Sequence, residues 1–317
     1  MTRFVVRRVL LFIPTLLLSA LGVFCLQRLI PGGPAQVIGG LDATPQALRA
    51  INERLGLDHP FWVQFWHWLT AALQGNLGTS YATQQPVASI IAQRYVPTLE
   101  LVGFSLVLSL LIGGIIGSWS AIRARRLDGR LMFFATGIGL SVPDFWIGTM
   151  ALGIFGLYLG WLPAGGYVSF GESVTQNLRS LVLPVLVISF VTSALIARQL
   201  RSALIVTLSS THVRTARALG IGTANMYRND ILRLAIEPVV NFVPLLVAGL
   251  VGSAVVVENV FTIPGLGTAI VESVNNRDYA TLQGITLVLC ATVIVLNLLA
   301  DVVNALLDPR RRDGAAL

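Results

Sequence analysis

The chain of 317 residues contains no lysine, so all 22 of its basic residues are arginine. Charge of either sign is scarce, with Asp, Glu, Lys and Arg together making up 12%, against roughly 25% in a soluble domain. Such a chain lacks the polar residues to coat a water-facing surface of its size, and its 55% hydrophobic content makes lipid its main solvent. The only two cysteines, Cys25 and Cys290, each fall in an apolar run, which excludes a disulfide framework and any metal site built on paired cysteine spacing. His59, His67 and His212 are scattered, and no HExxH or GxSxG signature is present, which argues against catalysis by this chain. A G-x-x-x-x-G-K-[ST] phosphate loop is also missing, so the chain cannot hold ATP in the Walker manner. The +7 net charge could suit nucleic acid, but the arginines form short clusters between long apolar runs. That arrangement fits anionic headgroups and membrane topology better than a phosphate backbone.

A helix needs about 20 mostly apolar residues to cross ~30 Å of hydrocarbon while satisfying its own backbone polar groups. Six segments meet this, at about 9–30, 98–122, 131–159, 181–204, 239–261 and 281–306. The first resembles a signal peptide in having Arg3, Arg7 and Arg8 ahead of an apolar stretch, but that stretch is too long and no small-residue cleavage site follows it. It is therefore expected to remain as a helix. Sixteen of the arginines fall on one side of these spans, at 3–8, 123–130, 198–233 and 310–312. The basic excess stays in the cytoplasm, which puts both termini there, with tails at 1–8 and 307–317, a cytoplasmic loop at 205–238 and an outside segment at 31–97.

The outside segment is patterned. Phe61, Trp62, Phe65, Trp66, Trp68, Leu69 and Leu73 recur at helical spacing, predicting a short helix that packs on the aromatic belt or offers a docking surface to an outside partner. Within the spans, Gly113/Gly117 and Gly156/Gly160 have the small-xxx-small spacing of close helix contacts. Span three carries Ser141-Val142-Pro143-Asp144 at its middle, and span five carries Asn241, Pro244, Gly249, Gly252 and Ser253, so these two are expected to bend or to line a cavity. Asp144 lies deep in a span, where an acid costs at least ~2.5–3.5 kcal/mol on insertion scales. It is read either as a pathway residue or as a hydrogen-bonded packing carboxyl. Glu100 reads as an anion in the first turn of span two, favoured by the helix dipole. Glu258 and Asp301 lie near span ends, within reach of water.

Between spans four and five, Ser210 or Thr211 can cap a short helix that Gly220 can end in the left-handed conformation, with Thr223 capping the next. Val213, Ala216 and Leu219 share one stripe, with Arg214 and Arg217 beside it. A short, well-bounded helix of this kind can carry motion from a docked protein into the spans it joins.

The stretch RTARALG followed by IGTANMYRNDILRLAIEP resembles the cytoplasmic coupling loop of permease subunits in binding-protein-dependent ABC importers, of the dipeptide, oligopeptide and nickel branch. SVPDFWIG, LPAGGY, VENVFTIPGLG, NNRDYATLQG and the terminal DPRRR are similar to that family's patterns and occur in order. The family's Glu-Ala-Ala triplet aligns with Arg214, Thr215 and Ala216, so its acidic first position is arginine here. The resemblance implies an all-α membrane protein with six transmembrane helices and the type I permease fold, with short outside helices between the first two spans and a cytoplasmic coupling helix. It also implies a non-enzymatic, pore-forming subunit of the bacterial inner membrane, paired with a second homologous permease, two ATPase subunits that hold ATP and Mg, and an extracytoplasmic solute-binding protein. The solute would be a di- or oligopeptide, nickel or a metal chelate. By this carry-over the ATPase docks on Arg214, Thr215, Ala216, Arg217, Ala218, Leu219, Gly220, Ile221 and Gly222. Helix position suggests Pro143, Asp144, Asn241, Gly252, Ser253 and Glu258 for the pathway and gate. Val257, Phe261, Pro264, Gly265 and Gly267 read as shapers of the turn after span five. Two other classes compete with this reading. One is a self-sufficient secondary transporter or channel, which would also use interrupted helices and a buried acid. The other, a membrane-embedded enzyme, lacks a nucleophile–base or metal-ligand constellation.

Overall fold

The computed structural model describes residues 2–29, 34–40, 43–220 and 231–307. The described chain is helical apart from turns and an isolated antiparallel bridge between Thr79 and Pro86. In order, the helices are α1 (Thr2–Leu29), α2 (Pro34–Gly39), α3 (Pro45–Arg54), α4 (Phe61–Leu73), α5 (Val87–Ile122), α6 (Leu127–Ser141) and α7 (Asp144–Ala151). A π-helical segment, Leu152–Tyr158, follows, and then α8 (Val174–Ser209), α9 (Thr211–Ala218), α10 (Leu232–Val260), α11 (Leu266–Asn275) and α12 (Tyr279–Leu307).

Four helices are long and apolar enough to cross a membrane: α5, α8, Leu234–Val260 of α10 and Tyr279–Val302 of α12. The α6 helix and the stretch Asp144–Tyr158 form a fifth, broken span bent by 96°. The cause of the break is local, since Pro143 cannot donate into a helix and pushes Val142 into the extended region, at φ −102° and ψ 126°. The described apolar stretch of α1, Phe12–Cys25, is shorter and falls where the first span is expected. At 36 residues each, α5 and α8 run about 54 Å at 1.5 Å per residue, well beyond the hydrocarbon. Hydropathy saw only their membrane parts.

The chain divides into two compact units, one of Met1–Val5, Leu99–Thr262 and Val295–Leu317, the other of Val6–Thr98 and Ile263–Ile294. In the first, α8 packs against α10, α6 and α7. A cluster including Ile196, Leu200, Leu204, Val213, Ile231 and Val239 forms its core. Lipid tails are as apolar as leucine, so such contacts depend on close packing more than on the hydrophobic effect. Gly113 and Gly117 provide it: an added Cβ would stand 2.7 Å from the Ser193 carbonyl oxygen and 2.8 Å from that of Ala197, respectively. The second glycine pair behaves differently. Gly156 abuts Ala164 in the following turn, and Gly160 has φ +62°, so this spacing serves a local reversal and not a helix–helix seam.

In the second unit, α4 buries Phe65 and Leu69 against Ala20 and Phe24 of α1 while Trp62 and Trp66 stay exposed. A second cluster joins Val87 and Ile91 to Leu266, Ala269 and Ile285. Arg94 pairs with Glu272 at 2.9 Å, and Leu266 N–H donates to Thr98 Oγ1 at 2.8 Å, capping α11. In the turn before α11 the left-handed residue is Thr262, at φ +52°, while Gly265 is extended. The Pro-Gly-x-Gly pattern thus marks the right place but misassigns the strained position.

Candidate functional site

Two regions of the first unit carry the residues singled out from the sequence. The inner one begins where α8 ends. Ser210 is extended, at φ −67° and ψ 154°, and its hydroxyl donates to the Thr207 carbonyl at 2.5 Å. The chain then re-enters a helix, with Arg214 N–H donating to Ser210 O at 3.2 Å. Within α9, Thr215 Oγ1 donates to Thr211 O at 3.1 Å, and Leu219 N–H closes the last turn on Thr215 O at 3.0 Å. Gly220 follows at φ +79°, the left-handed conformation that ends helices and that glycine adopts without penalty.

Val213 is wholly buried, and with Ala216 it joins the core of α8 and α10. Arg214, Thr215 and Ala218 are exposed, as is Gly220. Arg217 lies on the same helix. Leu219, expected on the inward stripe with Val213 and Ala216, is 75% exposed, because the chain has left the helix there and turns toward Gly220. Ile221, Gly222 and Thr223 lie outside the described residues. The geometry is thus a one-sided attachment, with one face of a two-turn helix keyed into the bundle by Val213 and its outer face and C-terminal corner open.

The second region is the break in the third span. Pro143 is the N-cap of α7 and Asp144 its first residue, so the carboxylate sits where the helix dipole favours negative charge. Ser253 on α10 donates to Asp144 Oδ2 at 2.5 Å. Two residues chosen independently, 109 positions apart, are therefore in direct contact, and the bond ties the broken span to α10. Gly148 lets α7 sit close to α8 and the end of α10, since a Cβ there would meet Phe261 and Val260 at 3.5 Å and Val187 at 3.7 Å. Gly252 is exposed with open space beside it. Glu258 is completely buried, five residues on from Ser253 and about 140° around the helix, so it does not share the Asp144 site. Asn241 is exposed and stands twelve residues earlier, about 18 Å along the axis.

A network near this region was missed by the sequence reading. Glu100 is well inside α5, which starts at Val87, so the first-turn dipole explanation is wrong. Its Oε2 accepts from Tyr167 Oη at 3.0 Å and from Asn177 Nδ2 at 2.9 Å, and Asn177 Nδ2 also donates to Val168 O at 2.9 Å. Burial, with Glu100 alongside, pushes the Tyr167 phenol up to about 12. Gly166 N–H, next to it, donates to Phe261 O at 2.9 Å and to Thr262 Oγ1 at 3.2 Å. The LPAGGY loop is thereby fixed to the end of α10, and Gly165 is close enough that a Cβ would fall 3.0 Å from Phe261 O. No local spacing could have paired Glu100 with residues 67 and 77 positions away.

A bundle of long apolar helices, one of them broken at a proline and carrying a short lever on one loop, defines a membrane permease with no catalytic centre of its own. Residues 109–313 match the family described as "Binding-protein-dependent transport system inner membrane component", and residues 1–102 match the N-terminal domain of the same kind of membrane component. The chain belongs to this family. It is 38% identical over 312 residues to a glutathione transport system permease protein of Salmonella typhimurium, covering 98% of this chain and 99% of the relative. The corresponding protein of Escherichia coli K12 is 36% identical at the same coverage. A probable peptide ABC transporter permease of Sinorhizobium fredii is 35% identical, covering 98% and 99%. Among solved structures, the MetNI methionine ABC transporter in an inward-facing form superposes with a TM-score of 0.58 at 17% identity, covering 69% of this chain and 96% of that one. This supports the type I permease fold. The chain is accordingly the pore subunit of an ATP-driven importer of the inner membrane, working with ATPase and solute-binding partners and not itself an enzyme. This sets aside the secondary-transporter and enzyme readings.

Proposed function

We propose that this chain forms half of a translocation pathway, paired with a second homologous permease, and imports short peptides or a peptide-like solute such as glutathione. The names of its 35–38% identical relatives support that solute class. ATP and Mg belong to two ATPase subunits that dock on Arg214, Thr215, Ala216, Arg217, Ala218, Leu219, Gly220, Ile221 and Gly222. Both termini and α9 face the cytoplasm, in line with the arginine excess on that side. The observation that carries the reading is the attachment of α9, with Val213 fully buried in the bundle and Leu219 largely exposed at the end of the helix. A rigid body held on one face passes displacement of the other face to α8 and α10. The pathway reading of Pro143, Asp144, Asn241, Gly252, Ser253 and Glu258 is supported by the Asp144–Ser253 bond, which couples the broken span to α10. Movement of α10 would strain or release that bond and so shift the break.

The test uses single cysteines in a chain whose Cys25 and Cys290 are replaced by serine. Leu219→Cys should crosslink to an ATPase subunit, with a yield that changes on adding ATP. Thr83→Cys and Asn275→Cys should react with an impermeant maleimide added to intact cells. Labelling of Leu219→Cys from outside would refute the orientation, and the absence of any ATPase crosslink would refute the docking assignment.

A further inference from the structure

The second unit contains a cavity of about 350 Å³ that none of the preceding roles uses. Its walls include Arg54 at the end of α3, Trp68 of α4, Leu77 and Tyr81 of the loop before α5, and Ala280 and Gln283 of α12. Arg54 is the only charged side chain among the described lining residues and is exposed. Gln283 is only 6% exposed, and its Nε2 has no hydrogen-bond partner among the described residues.

The loop side of the cavity is rigid. Asp278, itself buried, accepts from Ser80 Oγ at 2.5 Å, Tyr81 N–H at 3.0 Å and Thr281 Oγ1 at 2.7 Å. Burial, reinforced by Asp278, raises the Tyr81 pKa, so the phenol stays protonated. The cavity therefore offers a guanidinium, an unanswered amide N–H and a phenolic O–H, all donors, beside apolar walls of Trp68, Leu77 and Ala280. An ionised carboxylate accepts only, and a short methylene stem would lie along the apolar walls.

We propose that this cavity receives a glutamate side chain of the extracytoplasmic solute-binding protein when that protein docks. The proposal rests on the importer reading above, and the partner is the one the family requires. The cavity lies in the unit that includes most of the 31–97 segment assigned to the outside, and charge complementarity at a rim arginine sets partner choice and encounter rate.

The experiment titrates the cognate solute-binding protein, loaded with solute, against the complete transporter in nanodiscs and follows stimulated ATP hydrolysis. Arg54→Glu should raise the half-saturating concentration about tenfold or more without shifting the thermal unfolding midpoint, since Arg54 is exposed. Gln283→Leu should act in the same direction, and an arginine in place of the docking glutamate should restore affinity to Arg54→Glu alone. An unchanged half-saturating concentration in Arg54→Glu overturns the proposal. So does stimulation by the free dipeptide alanyl-glutamate, without binding protein, that Arg54→Glu abolishes, because the cavity would then be a peptide site. If the wild-type complex does not respond to the binding protein at all, the importer reading fails, and the proposal with it.

Discussion

Substitution of Gly220 isolates the conformational boundary of α9 from any steric effect. The residue has φ +79°, and a Cβ built on it meets nothing within 4 Å. The penalty for a side chain there is therefore purely backbone in origin, about 1–2 kcal/mol for an L-residue in the left-handed region, with β-branched residues at the upper end. Asparagine tolerates this conformation. A penalty of 1–2 kcal/mol shifts the population of the bounded helix by roughly 5- to 30-fold. Stimulated ATP hydrolysis and solute uptake in proteoliposomes should rank glycine first, then asparagine, alanine and valine. Insertion and monodispersity should stay constant, because Val213 and Ala216 still anchor the helix in the core. Equal coupling in Gly220→Val and Gly220→Asn would show that the left-handed stop plays no part in transmission.

Two further outcomes follow from the packing and the polar network. Gly113→Val should lower the thermal unfolding midpoint in detergent, at a cost of about 1–3 kcal/mol or more. Its Cβ would lie 2.7 Å from a backbone oxygen that cannot move aside, whereas Gly114→Val, with open space beside it, should be nearly neutral. Glu100→Gln should bring the Tyr167 phenol down from about 12 toward its ordinary value without reaching it, since burial persists, as read from the ultraviolet difference spectrum between each protein and its Tyr167→Phe variant. A raised phenol pKa means the folded state holds its proton longer. The stabilisation is therefore fully present below about pH 10 and is lost as pH rises through about 12, a loss that should shrink in Glu100→Gln.

Much of this molecule is written locally. An apolar run long enough to cross a bilayer has one structural solution that satisfies its backbone, so the spans could be read from composition alone. Pro143 forces a break because its ring and missing N–H act within a turn of its own position, and Gly220 ends α9 for an equally local reason. The sequence could not give the angle of the break, 96°, since that depends on how α7 packs against α8 and α10. It could not distinguish Gly113/Gly117, which press on α8, from Gly156/Gly160, which shape a turn, because the same spacing serves either use and the neighbour decides. It misplaced Leu219 by extending a helical stripe one residue past the helix, and it explained Glu100 by a helix start that lies thirteen residues earlier. The contacts Asp144–Ser253, Glu100–Tyr167 and Ser80–Asp278 span 109, 67 and 198 positions. Hydrogen bonds reach about 3 Å, so which distant side chains meet is fixed only when the helices have packed.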